Sequence, residues 1–145
     1  MTPHLVERSV KLRTNRRQAF EKATPPSVET IIGEAALRQH VGGTDVMVSQ
    51  LTSLVQDAEE RRVVFRVIPY GAEVMLPYTF HLFECGEKSE KPIAAFDAMS
   101  GMSFWKNPKE VRGIRGLVDS LKELALPPLE SLEMIRAIRK EMSRD

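Results

Sequence analysis

The hydrophobic and polar positions of this chain change period several times, and each change marks an element. Between Thr44 and Glu60 the apolar residues Met47, Leu51, Leu54, Val55 and Ala58 recur at intervals of three and four. That spacing predicts a helix with one buried stripe. Thr44 is expected to cap it, with Asp45 in the first turn where a negative charge suits the helix dipole. A second stripe, Val111, Ile114, Val118, Leu121 and Ala125, follows Asn107 and Pro108 and stops at "LPP". A polar cap and a proline at the first turn are helix-start signals, so a second helix is expected there. "LESLEMIRAIRKEM" makes a last one. The opening segment "TPHLVERSVKLRTNRRQAFEKA" behaves differently. Thr2 and Pro3 start a helix expected over 3–23, yet Leu5, Leu12 and Ala19 fall on one side. Val6 and Val10 lie about a third of a turn away. Such a helix has no single face to bury, which predicts packing on two sides or a role as an interaction surface.

Between the helices the pattern shortens and becomes β-branched. "SVETII" (27–32), "RVVFRVIPY" (62–70), "YTFHLFEC" (78–85) and "PIAAFDAM" (92–99) read as strands. A loop with Gly71 and Pro77 joins the second and third, and the polar "GEKSEK" makes a hairpin-like connection from the third to the fourth. "GEAALRQHVGG" is expected to form a short helical turn, closed by Gly42 and Gly43. The order α-β-α-β-β-β-α-α implies an α+β fold, a single domain in which a small, mostly antiparallel sheet packs against several helices.

Composition sets outer limits. The 145 residues, 42% hydrophobic and 28% charged, suit one soluble globular core. No apolar run approaches the roughly 18 residues of a membrane span, and no signal-peptide core follows Met1, so a cytoplasmic protein without membrane contact is expected. Cys85 is the one cysteine, which excludes an internal disulfide, and it is expected to serve packing. The net charge of +1 hides an asymmetry. Residues 1–22 carry six Lys/Arg against two acids, residues 23–103 six against eleven, and residues 104–145 nine against seven. A basic head beside an acidic middle predicts internal pairing or docking on something acidic.

Most sequence signatures of chemistry are missing. His4, His40 and His81 share no metal-ligand spacing, and there is no nucleophile elbow, phosphate-binding loop or dinucleotide-binding turn. No cofactor, metal or catalytic residue is therefore expected. Arg8, Lys11, Arg13, Arg16 and Arg17 spread over about two-thirds of the first helix's circumference. DNA affinity at physiological salt takes roughly six to ten phosphate contacts, so direct DNA binding is not expected. Two places remain as candidate ligand or partner sites. Phe104 and Trp105 are adjacent aromatics that point oppositely in an extended segment, so either one is left near solvent as a partner anchor or both are buried, one under each layer. Glu34, Arg38, Tyr70 and Asp97 are polar residues that interrupt or end apolar elements, and a cleft beside the 44–60 helix would bring them together. Asp97, if it points inward, requires a cation such as Arg38 or Arg66.

In order along the chain, "VERSVKLRTNRRQAF", "VETIIGEAALRQHVGGTDVMVSQLTSLV", "VVFRVIPYGA", "FHLFE", "PIAAFDAMSG" and "LKELALPPLESLEMI" resemble a known family. It is the C-terminal domain of unknown function of actinobacterial XRE-type, WhiJ-like regulators, described as antitoxin-like. The resemblance implies a regulatory domain that senses a signal or binds a protein partner, either a small toxin-like or anti-repressor-like protein or a second copy of itself. It carries over no catalytic residues. In that family a helix-turn-helix reads the operator; none is present in these residues, which again argues against DNA binding by this chain alone. The loop after "IPYGA" runs "EVMLPY", and Asp97 stands where the family often has Glu. For the Glu-Ala-Ala-Leu-Arg block the expected role is structural: Gly42 and Gly43 permit the turn, while Glu34 and Arg38 tie the strand end to its neighbours. The alternative is a small nucleotide-binding domain or enzyme with its cleft near Glu34, Arg38, Tyr70 and Asp97.

Overall fold

A computed structural model describes residues 2–74, 78–86 and 91–144. It begins with α1 (Pro3–Arg17) and a 3-10 turn (Gln18–Glu21), followed by β1 (Val28–Gly33), α2 (Glu34–Arg38), α3 (Thr44–Glu59) and β2 (Val63–Ile68). Three more strands, β3 (Phe80–Phe83), β4 (Ile93–Ala98) and β5 (Gly101–Trp105), precede α4 (Pro108–Leu124) and α5 (Pro128–Met142). The architecture is α+β, as the element order implies, but the strands form two sheets rather than one. β1 and β2 pair in parallel, from Val28 opposite Val63 to Gly33 opposite Ile68. A parallel pair needs a crossover, and α2 and α3 supply it. β3, β4 and β5 form an antiparallel sheet with β4 in the centre.

The core explains this placement. Met47, Leu51 and Val55 form the buried stripe of α3, and they meet Ile135, Ile138 and Met142 of α5 over Val63, Phe65 and Val67 of β2. Along β2 these three alternate with the exposed Val64 and the half-buried Arg66, so one face of the strand is packed. The other edge of β2 is closed without a strand. Leu126 N–H donates to the Val67 carbonyl at 2.8 Å. The fully buried Ser131 hydroxyl accepts the Val67 N–H at 2.9 Å and donates to the Leu126 carbonyl at 3.0 Å. The segment after α4 thus satisfies groups that a further strand would otherwise hold.

α4 joins the two sheets. Val111, Ile114 and Leu121 are buried, as their spacing predicts, and the Asn107 side chain caps the helix by accepting the Lys109 N–H at 2.9 Å. Lys122 reaches Glu29 of β1 at 3.0 Å, while Arg115 reaches Glu84, just past β3, at 3.1 Å.

Several expectations change. The first helix ends at Arg17 rather than near residue 23, because the chain tightens into a 3-10 turn that brings Phe20 against the core. Thr44 is the first helical residue of α3, not its cap. Gly43 holds the cap position at φ 98°, and the Thr44 hydroxyl lies 3.2 Å from His40 Nδ1 instead of bonding the helix amides. Cys85 is exposed just past β3 rather than packed. β5 was not expected as a strand. Pro77 and most of the "GEKSEK" connection lie outside the described residues. Among the described residues no helix is long and apolar enough to cross a membrane.

Candidate functional site

Of the four polar candidates, the structure brings three together. Glu34 opens α2 directly after β1 and is nearly buried. One of its carboxylate oxygens accepts Arg38 Nε at 2.9 Å, and the other accepts the Tyr70 backbone N–H at 2.8 Å. Arg38 then reaches across to Glu141 of α5, also at 2.9 Å. Glu141 and Glu34 together raise the Arg38 guanidinium above its ordinary pKa, so it stays charged. Both oxygens of Glu34 are thereby engaged in joining β1, α2, the end of β2 and α5. Tyr70 enters this cluster through its main chain only; its ring is exposed. Asp97 is elsewhere. It is exposed on β4 and faces His81 of β3 at 3.5 Å, while Arg66, its other suggested partner, pairs with Glu29. The condition of an inward carboxylate is not met: near the end of the central strand, Asp97 lies on the solvent-facing side of the sheet with the exposed Phe104 and Phe83. The glycines behave as the turn requires: Gly42 and Gly43 have φ 80° and 98°, a region that favours glycine.

The aromatic pair lies on β5, where alternation sends the two rings to opposite faces. Trp105 packs on Phe96 with ring centroids 4.4 Å apart, and Phe96 in turn meets Phe80. Even so, Trp105 remains 41% exposed. Phe104 is 59% exposed and stands opposite Ala95 on the other face. Strand alternation puts Phe83, also exposed, on that same face, together with Ile93 and Met102. The result is an aromatic-bearing sheet face, with His81 and Asp97 as its polar members.

A second surface was visible in the sequence only as an unclear stripe. α1 has no buried residue along its 15 positions, and Leu5, Val6, Val10 and Leu12 are all exposed. Its anchor is at the C-terminal end. Arg17 donates from two guanidinium nitrogens to the two oxygens of Asp57, at 2.9 and 3.1 Å, and this partner raises the Arg17 pKa. Asp57 sits nearly buried in the last turns of α3, with Arg62 3.6 Å away as a second cation. One cation of the basic head, Arg17, therefore pairs with the acidic middle. Sequence alone did not indicate Asp57, because a carboxylate near a helix C-terminus reads as solvated.

No curated protein and no solved structure matches the chain. Over residues 1–137 it matches the family described as a domain of unknown function, DUF5753. The match spans α1, both sheets, α4 and most of α5, and so the chain belongs to that family.

Proposed function

We propose that this domain works by binding another protein, as a regulatory domain of the kind found in antitoxin-like XRE-type regulators of actinobacteria. The observation that carries the reading is α1. A helix of 15 residues is marginally stable in water unless an amphipathic face is packed, and α1 buries no side chain while presenting four large aliphatic ones. A partner that covers Leu5 and Leu12, or Val6 and Val10, supplies the missing packing. The aromatic sheet face adds a second apolar surface with the anchor residues typical of interfaces. The partner is a small toxin-like or anti-repressor-like protein or a second copy of this chain. The resemblance of the quoted segments to XRE-type regulators supports a cytoplasmic setting and a regulatory role.

The competing reading, a nucleotide-binding or catalytic cleft at Glu34, Arg38, Tyr70 and Asp97, finds its groups already committed. Glu34 and Arg38 are bonded to protein partners, and Asp97 belongs to a different sheet.

Light scattering across a range of concentrations tests the proposal, with Leu12→Ser, Phe104→Ser and Trp105→Ala as variants and circular dichroism as the check on folding. Association that Leu12→Ser and Phe104→Ser weaken, without loss of helicity, supports it. Trp105→Ala separates packing from contact: outright unfolding assigns Trp105 to the Phe96 cluster, and a folded variant that no longer associates assigns it to the interface.

A further inference from the structure

A groove of about 320 Å³ lies where α4 begins, away from both the Glu34 cluster and α1. Pro92 and Val111 give it an apolar floor, and Lys91, Lys106, Arg112 and Arg115 also line it. Among the described residues, no acidic side chain does. Lys91, Lys106 and Arg112 have no ion-pair partner among the described residues, and Arg115 is held by Glu84 in a pair that is half-exposed on both sides. Such a pair contributes little in water and exchanges readily for a stronger anion. Four cations around one small space repel one another, and an anion placed among them relieves that repulsion while gaining charge-assisted hydrogen bonds.

We propose that this groove binds a small phosphorylated molecule with an apolar or aromatic body, about the size of a mononucleotide. Its volume is at the lower end of the roughly 300–1,000 Å³ of small-molecule sites. The two arginines offer planar forks suited to phosphate oxygens, and the lysines add point charges. The proline and valine surface gives the non-ionic part of the ligand something to cover. Four cations around one short groove suit a compact anion better than an extended acidic peptide, which needs charges spaced along a track. The groove borders the aromatic sheet face, since Lys106 follows Trp105 and Pro92 precedes Ile93, but it shares no lining residue with that face or with α1, and ligand binding is read independently of association, so either reading can fail alone.

Titration calorimetry on the full chain tests it, using adenosine diphosphate, adenosine, pyrophosphate and a hexaglutamate peptide as probes. Adenosine diphosphate is expected to bind saturably, with a Kd below about 1 mM at low salt that weakens severalfold near 200 mM salt. Lys106→Gln and Arg112→Gln should each weaken it by about tenfold, as loss of one charge-assisted contact implies. Glu84→Gln should tighten it by about threefold, because it releases Arg115 to the ligand; a merely structural role for these residues does not predict that gain. Circular dichroism confirms that the variants fold, and Lys106→Gln, at an exposed position outside the helix, carries the test if Arg112→Gln does not. Absence of saturable binding, or binding that both variants leave intact, overturns the proposal. Pyrophosphate or hexaglutamate binding as tightly as adenosine diphosphate overturns the assignment of an apolar-bodied ligand.

Discussion

Arg17 closes both prongs of its guanidinium on the nearly buried carboxylate of Asp57, and this contact fixes the end of a helix that has no buried residue of its own. The geometry is bidentate, the strongest form of the arginine–carboxylate contact. Arg17 is about half exposed, however, so water and salt screen part of the attraction.

Arg17→Ala should therefore lower global stability only modestly, by about 1–2 kcal/mol. Its main effect should be local: amide exchange across residues 3–17 should quicken while α3 and α5 keep their protection. Asp57→Ala should cost less than an isolated buried charge would, since Arg17 and Arg62 both return to solvent. Chemical denaturation combined with hydrogen exchange separates these outcomes.

The Glu34 cluster makes an ordered prediction. Glu34→Ala removes the acceptor of the Tyr70 N–H and the partner of Arg38 together, and should cost about 2–3 kcal/mol. Arg38→Ala leaves the Tyr70 bond in place and gives up contacts that are partly solvated, so it should cost about 1 kcal/mol. Equal denaturation midpoints for the two variants would show that the Tyr70 bond contributes nothing.

Stability should also depend on acid through Glu29. Burial works against its charge, but hydrogen bonds from Arg66 and Lys122 outweigh that and hold the carboxyl below its usual value. A carboxyl depressed in the folded state binds fewer protons there than in the unfolded chain. Its stabilisation is thus fully present above the ordinary value of 4.5 and is lost as pH falls through the lower folded value. Glu29→Gln should flatten the loss of stability below about pH 4.5, as measured by urea midpoints at a series of pH values. An unchanged pH profile would remove Glu29 from the acid response.

Two backbone positions should respond in opposite directions. Gly43 has φ 98° at the start of α3, and open space surrounds the position a side chain would take, so dihedral strain alone decides the outcome. Gly43→Val should destabilise by about 1–3 kcal/mol. Arg61, at φ 58°, ends α3 in the left-handed conformation; its N–H reaches the Ala58 carbonyl, and the Arg62 N–H reaches that of Asp57. That pattern usually has glycine at this position, so Arg61→Gly should stabilise by about 0.5–1 kcal/mol. Thermal midpoints moving the same way for both variants would contradict this account.

Legibility in the sequence followed the strength of the periodic signal. Met47, Leu51 and Val55, and later Val111, Ile114 and Leu121, are buried as their spacing predicts, because one wide apolar stripe leaves a helix a single way to face the core. The structural role of Glu34, Arg38, Gly42 and Gly43 was also readable, since charge partners and left-handed turns are local requirements. Partition of the strands into two sheets was not. Nothing in "VETII" or "VVFRVI" says which strand lies beside it, and the substitute edge is distant in sequence, with Ser131 64 residues from Val67. β5 carried a weak signal, the alternation in "GMSFW" after a two-residue turn, which the adjacent aromatics obscured. Asp97 misled because a carboxylate inside an apolar strand reads the same whether it faces a cleft or water.

Among the described residues α1 buries none of its side chains, and hydrogen exchange of α1 in a dilution series reads how far a single chain holds it. Amides of residues 3–17 should exchange far faster than those of α3 and α5 at low concentration. They should gain protection when the chain associates or is bound by a partner protein, as expected for an element that is stabilised only on docking. Protection in α1 equal to that of α3 in a dilute, monomeric chain would contradict that expectation.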